Sequence, residues 1–477
     1  MSAGTGDIAA ADRCDVVVVG AGPGGCATAL EAARHGASVI LLEAGDRVGG
    51  NAARSTGYVA FQNFAMQTTA GIEDSVDGLL ADMAAEVELQ RERYGLIYDA
   101  DLARLFAAES SATYDFLVDI GFRFNRFIHR PKQHTTDRMV DVESTAMFTD
   151  LFAMALAEAG VDVRLDTRAT RLITDGDVVV GVNTNGGDIA AAQGVVLAAG
   201  GYQANPELRA RYQPRSMATT PYLGTDHDRG DGHLMGQAVG GDLINMTMIP
   251  ALIMVASALV EESIAVNVQG LRFHDEAGPY DDRVAALKAQ TDQLAWYVFD
   301  EAVARRKSQL VDEMPDAAVC APTLEALAAE IGCDPSGLVA AVRDWNETVA
   351  SGVDVDPAFG RVIFPDPRIG IVEPPFHASR MVVGINFPAG GFRVTLDTQV
   401  IDVFGDPIPG LFAVGDCVGG ISPTIGLGGM KISAALTLGR IAGRVIATDQ
   451  VRAEAGTGLA GAPALAGSRM RIAVVDT

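Results

Sequence analysis

Lysine is almost missing from this chain: Lys132, Lys288, Lys307 and Lys431 are the four present among 477 residues. Arginine does not make up the deficit. In all, 36 basic side chains stand against 61 acidic ones, a formal net charge of −25. A surface of that sign repels phosphate backbones and anionic lipid headgroups, so neither nucleic acid nor a membrane is an expected partner. Cysteine is sparse as well. Cys14, Cys26, Cys320, Cys333 and Cys417 are odd in number and form no C-x-x-C pair. That pattern argues against a disulfide framework, a zinc site, a cysteine-ligated cluster or attached c-type haem. No metal site is expected, and a reducing cytoplasm is the expected compartment. The amino-terminal residues show no basic segment followed by an apolar run, so no signal peptide is read there. Long hydrophobic runs are missing too. The most apolar stretch, residues 246–260, is shorter than the ~20 residues of a spanning helix and contains Pro250, so it is expected in the core.

Apolar side chains, by contrast, are 48% of the residues. The chain can therefore bury a large core, and its length exceeds the size at which one core keeps growing. Residues 15–19 are a short β-branched run of the kind buried on both faces of a sheet. Gly20-Ala-Gly22-Pro-Gly24-Gly25 follows at once, then an Ala-rich, helix-competent stretch over 26–35 and a second apolar run over 38–42 ending on Glu43 and Ala44. Strand, glycines, helix, strand and acid in that order make a βαβ dinucleotide unit. Gly20 is expected to make the tight turn, Gly22 to let the backbone approach a pyrophosphate, and Gly25 to let the helix pack against the strand. The helix N-terminus offers free N–H groups to the phosphates, and Glu43 accepts from ribose hydroxyls.

Further along, helical patterns dominate 75–159, and short strands are expected at 161–165, 170–173, 177–183 and 194–199. Residues 246–371 change to longer helical stretches, 285–307 and 323–351. Strand-and-turn character then returns, followed by a helix over 429–448.

The glycine loop serves FAD, NAD and NADP alike. Gly49-Gly50-Asn51, Ala198-Ala199-Gly200-Gly201 and the segment 410–416 ending in Gly415-Asp416 resemble the flavoprotein pattern in which distant segments close around one extended cofactor. No second G-x-G-x-x-G follows a strand, so a separate electron acceptor or donor is expected rather than bound NAD(P)H. With Gly230-Asp231-Gly232, residues 270–276, residues 296–300 and Gly428-Gly429, these segments make the chain similar to the fumarate reductase and succinate dehydrogenase flavoprotein superfamily over residues 15–444. The resemblance implies an α/β fold. A Rossmann-like, glutathione reductase-type FAD-binding domain (12–245 and 372–448) would carry an inserted α+β cap (246–371), with a loose tail at 449–477. It also implies Ala169, Ala199, Gly200, Gly201, Asp231, Gly415, Asp416 and Gly429 beside the cofactor. The FAD would be noncovalent, because residues 51–61 lack the histidine that carries covalent flavin in succinate dehydrogenase-type subunits.

The substrate positions depart from fumarate reductases. Four residues past Glu276, where those enzymes carry an arginine, stands Tyr280. Residues 384–391 contain no histidine, and the arginine expected before the late glycine pair is Gly426. A dicarboxylate in a closed cleft without cations is strongly disfavoured. Glu276-Ala-Gly-Pro-Tyr280 is instead similar to the E-S-A-P-Y segment of 3-ketosteroid dehydrogenases, whose tyrosine moves the proton next to the ketone. Residues 422–429 are similar to their Y-P-G-P-G-G segment, which holds the ketone oxygen. Here Ser422 or Thr424 would supply the hydroxyl and Gly428 the N–H, the two hydroxyls otherwise being turn or capping residues.

The implied activity is introduction of a double bond α,β to a ketone in a steroid-like or smaller alicyclic substrate, with the proton going to Tyr280 and hydride to flavin N5. The alternatives are an ene-reductase acting on an enone or unsaturated acid, and a non-catalytic electron-transfer subunit. A free tyrosine has a pKa of ~10, so Tyr280 needs a nearby cation, for which Arg283 and His274 are candidates. Tyr58, Tyr98, Tyr114 and Tyr222 are not distinguished as its helper. The basic run 125–132 is either a solvated loop or a contact to FAD or an anionic substrate.

Overall fold

The computed structural model describes residues 12–448 apart from 216, 223, 254–258, 308–317, 386–387 and 422–425. The expected βαβ start is formed by β1 (Asp12–Val19), α1 (Pro23–Arg34) and β2 (Val39–Leu42). Val16, Val17, Val18, Leu41 and Leu42 are all buried, because β1 lies between neighbours in a sheet covered on both faces.

That sheet has eight strands. Its path runs Gln399–Ile401, Pro407–Ala413, Gly187–Leu197, β1, β2, Asp162–Arg164, with Ala169–Asp175 and Val178–Thr184 joined to it as a meander. The central pairs are parallel, and Val17 stands opposite both Ile40 and Val195. The carboxyl ends of β1, β2, Gly187–Leu197 and Pro407–Ala413 thus share one edge, where ligands of open α/β sheets bind. The expected strands of this sheet are present, the one expected at 194–199 starting seven residues earlier, at Gly187.

Against the sheet, α1 packs on the helix Met430–Ala447 at very close range. A Cβ built on Gly439 would fall 2.3 Å from the Gly24 carbonyl oxygen, and one on Gly443 would fall 2.4 Å from that of Thr28. Backbone rather than a movable side chain is the obstacle. Gly439→Ala is therefore expected to push the helices apart, cost ~1–3 kcal/mol and weaken cofactor retention; thermal unfolding with and without added FAD measures both.

Three departures from expectation stand out. The region 75–159 holds helices Val76–Tyr94, Ala100–Asp119 and Met147–Glu158, but also strands Phe124–Phe127 and Met139–Val142, which pair with Tyr58–Ala60 in a small antiparallel sheet. The stretch 285–307 is not one helix. Tyr280–Lys288 ends, Asp292 and Gln293 take positive φ, and Ala295–Asp300 runs as a strand with every residue buried. Its aromatic and β-branched side chains favour a pleated core position over a helix. The stretch 323–351 is likewise two helices, Leu324–Ile331 and Pro335–Ala350, separated by Gly332 in the left-handed region and an Asp334 N-cap.

Ala295–Asp300 belongs to a four-stranded antiparallel sheet with Ile264–Asn267, Phe376–Arg380 and Val319–Ala321. Residues between 253 and 383 bury two apolar clusters of their own, apart from the one around β1. Met246, Met248, Ile249, Leu252 and Ile253 are buried, as expected for the most apolar stretch. No helix among the described residues is long and apolar enough to cross a membrane.

Candidate active site

The glycine loop divides its labour as its spacing suggests. Gly20 has φ +102°, and a Cβ there would sit 2.4 Å from the Ala198 carbonyl oxygen. A Cβ on Gly25 would meet the Gly20 oxygen at 1.9 Å, so any larger residue lifts α1 off the turn. Gly22 is different: nothing lies within 4 Å of the position its Cβ would take. It borders a cavity of about 790 Å³, a volume in the range of ligand sites.

The cavity lining includes Glu43, Ala44, Arg168, Ala169 and His227 as well as Gly20, Gly22, Gly24, Gly50, Asn51, Ala199, Gly200, Gly415 and Asp416. Tyr58, Leu252, Ile253, Tyr280, Leu427, Gly428, Gly429 and Asp231 line it as well, together with Arg54, Ser55, Thr56 and Lys431. A cavity that combines an acidic acceptor for ribose, an open glycine backbone for a diphosphate and apolar side chains on its wall fits FAD. Glu43 is held in place by the Ala21 N–H, donating to Oε2 at 2.9 Å, and the Gly45 N–H, donating to Oε1 at 2.8 Å. The helix Met430–Ala447 starts at this cavity with no side-chain cap, leaving its first N–H groups and positive end toward it.

Three expected cofactor residues act from behind the wall instead. Gly25, Gly49 and Gly201 do not line the cavity. Gly25 sets the packing of α1, Gly49 donates its N–H to the Ala21 carbonyl at 2.8 Å, and Gly201 packs against Gln203 and Pro388. Spacing alone cannot separate a residue that touches a ligand from one that shapes the turn beside it.

Tyr280 is the first residue of its helix, whose packing on Ala251–Ile253 brings Leu252 and Ile253 to the same cavity. The Arg283 guanidinium, one turn on and buried, lies 4.6 Å from the Tyr280 ring centroid. His274 does not serve: it is outside the cavity lining, neither ring nitrogen has a hydrogen-bond partner among the described residues, and burial pushes it down to about 4. Of the tyrosines left undistinguished by the sequence, Tyr58 alone lines the cavity among the described residues. Burial, then the charge of Glu261, pushes its phenol well above the ordinary range, so it stays protonated.

The late segment is a partial correction. Gly428 lines the cavity, yet its N–H donates to Gln133 Oε1 at 3.2 Å and its carbonyl bonds to His134 Nε2 at 2.9 Å. The N–H expected to hold a ketone is thus engaged within the protein. Ser422 and Thr424 lie outside the described residues. The Gly426 N–H donates to Glu86 Oε1 at 2.9 Å, so a carboxylate stands beside the position at which the resemblance to fumarate reductases implies an arginine.

The basic run 125–132 does not line the cavity, and its cations are ion-paired, though Asn125, Arg126, His129, Pro131 and Lys132 are exposed. Arg126 and Arg130 donate to the two oxygens of Glu261 at 2.6 and 2.9 Å, and Lys132 donates to Asp275 at 2.8 Å. It clamps the cavity wall that bears Tyr58 to the residues around Tyr280. Glu276 is equally structural: Arg272 grips both its oxygens at 2.9 and 2.8 Å, and Arg361 donates at 3.0 Å.

Comparison with known proteins agrees with this geometry. Residues 15–432 match the family model described as an FAD binding domain. A probable fumarate reductase, Ifc3, of Shewanella frigidimarina is 30% identical over 458 residues, covering 91% of this chain and 74% of the relative. The chain belongs to the fumarate reductase and succinate dehydrogenase flavoprotein superfamily. This flavoprotein is accordingly an FAD-dependent oxidoreductase acting on CH–CH groups. A solved open conformation of a flavocytochrome c3 fumarate reductase superposes with a TM-score of 0.73 at 29% identity, covering 92% of this chain and 79% of that one. The 4-oxocyclohexanecarboxylate 2-dehydrogenase of Sinomonas cyclohexanicum is 28% identical, covering 94% of this chain and 96% of the relative.

Proposed function

We propose that this flavoprotein introduces a double bond α,β to the ketone of a cyclic substrate, steroid-like or a smaller ring. The observation that carries the reading is that Tyr280 and Tyr58 line the same cavity, with the apolar side chains of Leu252, Ile253 and Leu427 also on its wall. Tyr280, acting as its phenolate, takes the proton from the carbon next to the ketone and becomes neutral, and the charge it carries before the transfer faces the Arg283 guanidinium. Tyr58, kept neutral by burial, donates to the ketone oxygen as enolate character develops there. The apolar walls exclude water from the reacting carbons. FAD, when bound in the cavity, supplies the hydride acceptor, and a separate electron acceptor then takes the two electrons. In this reading residues 246–371 form the cap that carries Tyr280. The FAD is noncovalent, since no histidine or cysteine between 49 and 61 is present to attach it. The five free cysteines suit a reducing cytoplasm.

A cyclic keto acid is named as the substrate of the Sinomonas relative, which supports the ring ketone. Anaerobic bleaching of the flavin by a panel of saturated cyclic ketones tests the reading; failure of all of them, with rapid reoxidation of the dithionite-reduced enzyme by an unsaturated acid, overturns it. Tyr58→Phe is expected to lower kcat about 10²-fold while leaving FAD binding unchanged.

One observation favours a second reading, reduction of an unsaturated acid. Arg54 lines the cavity and has no hydrogen-bond or ion-pair partner among the described residues, so it is available to a carboxylate. In that case Arg54→Gln raises KM for acids and leaves neutral enones unaffected.

A further inference from the structure

Asp228 is a buried carboxyl, 5% exposed and part of the wall of the cofactor cavity. Its Oδ2 accepts from the Tyr222 hydroxyl at 2.6 Å and from Asn51 Nδ2 at 2.6 Å. The orientation of Asn51 is set independently, because its Oδ1 accepts from the Thr225 N–H at 3.0 Å. Both lone pairs of Oδ2 are thereby taken, and a proton on this carboxyl must sit on Oδ1. That oxygen lies against Gly200, so close that a Cβ there would come within 2.3 Å.

The charges around it are mostly of its own sign. Glu43 faces it from the end of β2 and Asp416 from the turn Gly415–Cys417, with Lys431 3.3 Å from Asp416; Asp231, on the helix that follows its loop, pairs with Arg168. His227 and Arg229 flank it in its own loop, and His227 Nδ1 is 3.1 Å from Arg168. Burial raises this carboxyl first, against the hydrogen bonds from Tyr222 and Asn51, and the charges of Asp416 and Glu43 help bring it to about 7. A diphosphate laid along Gly22 adds negative charge and pushes it higher still.

We propose that Asp228 holds FAD as a neutral carboxylic acid, donating its Oδ1 proton to a diphosphate oxygen, so that cofactor binding requires one proton on this residue. As an ionised group it would set a carboxylate against the phosphates, and binding weakens as pH rises through its titration. An asparagine in its place keeps an N–H donor toward the phosphate and an oxygen for Tyr222 and Asn51, but cannot titrate. The inference is independent of which substrate the cavity takes.

Equilibrium dialysis of the full-length protein against FAD tests it. The Kd is expected to rise about tenfold or more from about pH 6.5 to about pH 9, and the rise is expected to shrink to less than about twofold in Asp228→Asn. A flat wild-type profile, or the same rise in the variant, overturns the proposal. Should the variant not fold, calorimetric titration of the wild type with FAD near pH 8 in two buffers of different ionisation enthalpy decides: uptake of about one proton per FAD supports it, and no uptake overturns it.

Discussion

Tyr280→Phe is expected to leave the flavin spectrum and FAD affinity of the protein unchanged and to lower kcat by about 10²- to 10⁴-fold, the range that general acid–base groups contribute. The substitution deletes one oxygen and keeps the ring beneath Arg283, so the packing of the helix Tyr280–Lys288 is retained. The proposed reaction would lose its proton acceptor and little else. Anaerobic reduction of the flavin by a cyclic ketone, followed in single turnover, separates this loss from product release. Turnover equal to wild type would reduce Tyr280 to a packing residue. Arg283→Met provides the companion measurement. It removes the cation facing the phenol, and its pH–rate profile should lose activity at the acidic end of the working range while that of Tyr280→Phe stays flat and low.

The second large effect concerns stability. Glu276→Ala is expected to cost about 3–5 kcal/mol, because it strands two buried guanidinium groups that the carboxylate now neutralises. Arg361 is fully buried and Arg272 nearly so, and Asp356 remains only for Arg272. Urea unfolding followed by the fluorescence of Trp345, whose ring lies 4.2 Å from Arg361, reads the change directly.

The same group sets an acid limit. Burial would raise the Glu276 carboxyl, but the hydrogen bonds and charge of Arg272 and the charge of Arg361 outweigh it and bring it to about 2. An unfolded glutamate titrates near ~4.3. A depressed folded value means the stabilisation is complete above that unfolded value and lost as pH falls toward 2. Glu276→Gln should therefore flatten stability over that window relative to wild type.

The cofactor residues and the proposed catalytic residues differ in how far they can be read from the chain alone. Gly20, Gly22, Gly25 and Glu43 stand close together in sequence, and their roles follow from local geometry: a turn, a backbone approach, a helix contact and a strand-end acid. The parallel sheet was legible for the same reason, since a strand buried on both faces is a continuous β-branched run. Tyr280 was visible through its Pro-Tyr context.

Tertiary structure decided the rest, because those contacts join residues far apart in the chain. Tyr58 is one of several tyrosines until the fold brings its strand to the cavity, more than 200 positions from Tyr280. The basic run 125–132 has no assigned partner until Glu261 and Asp275 arrive from the other side of the cavity. Gly428 looked like a free donor, and only the folded chain sets Gln133 against its N–H. Asp228 carried no motif at all; its place beside Asn51, Tyr222, Glu43 and Asp416 exists only after four separate segments meet. Local spacing determined the dinucleotide loop and the α/β class, whereas charge state, hydrogen-bond occupancy and shared cavity walls depend on long-range packing that spacing does not encode.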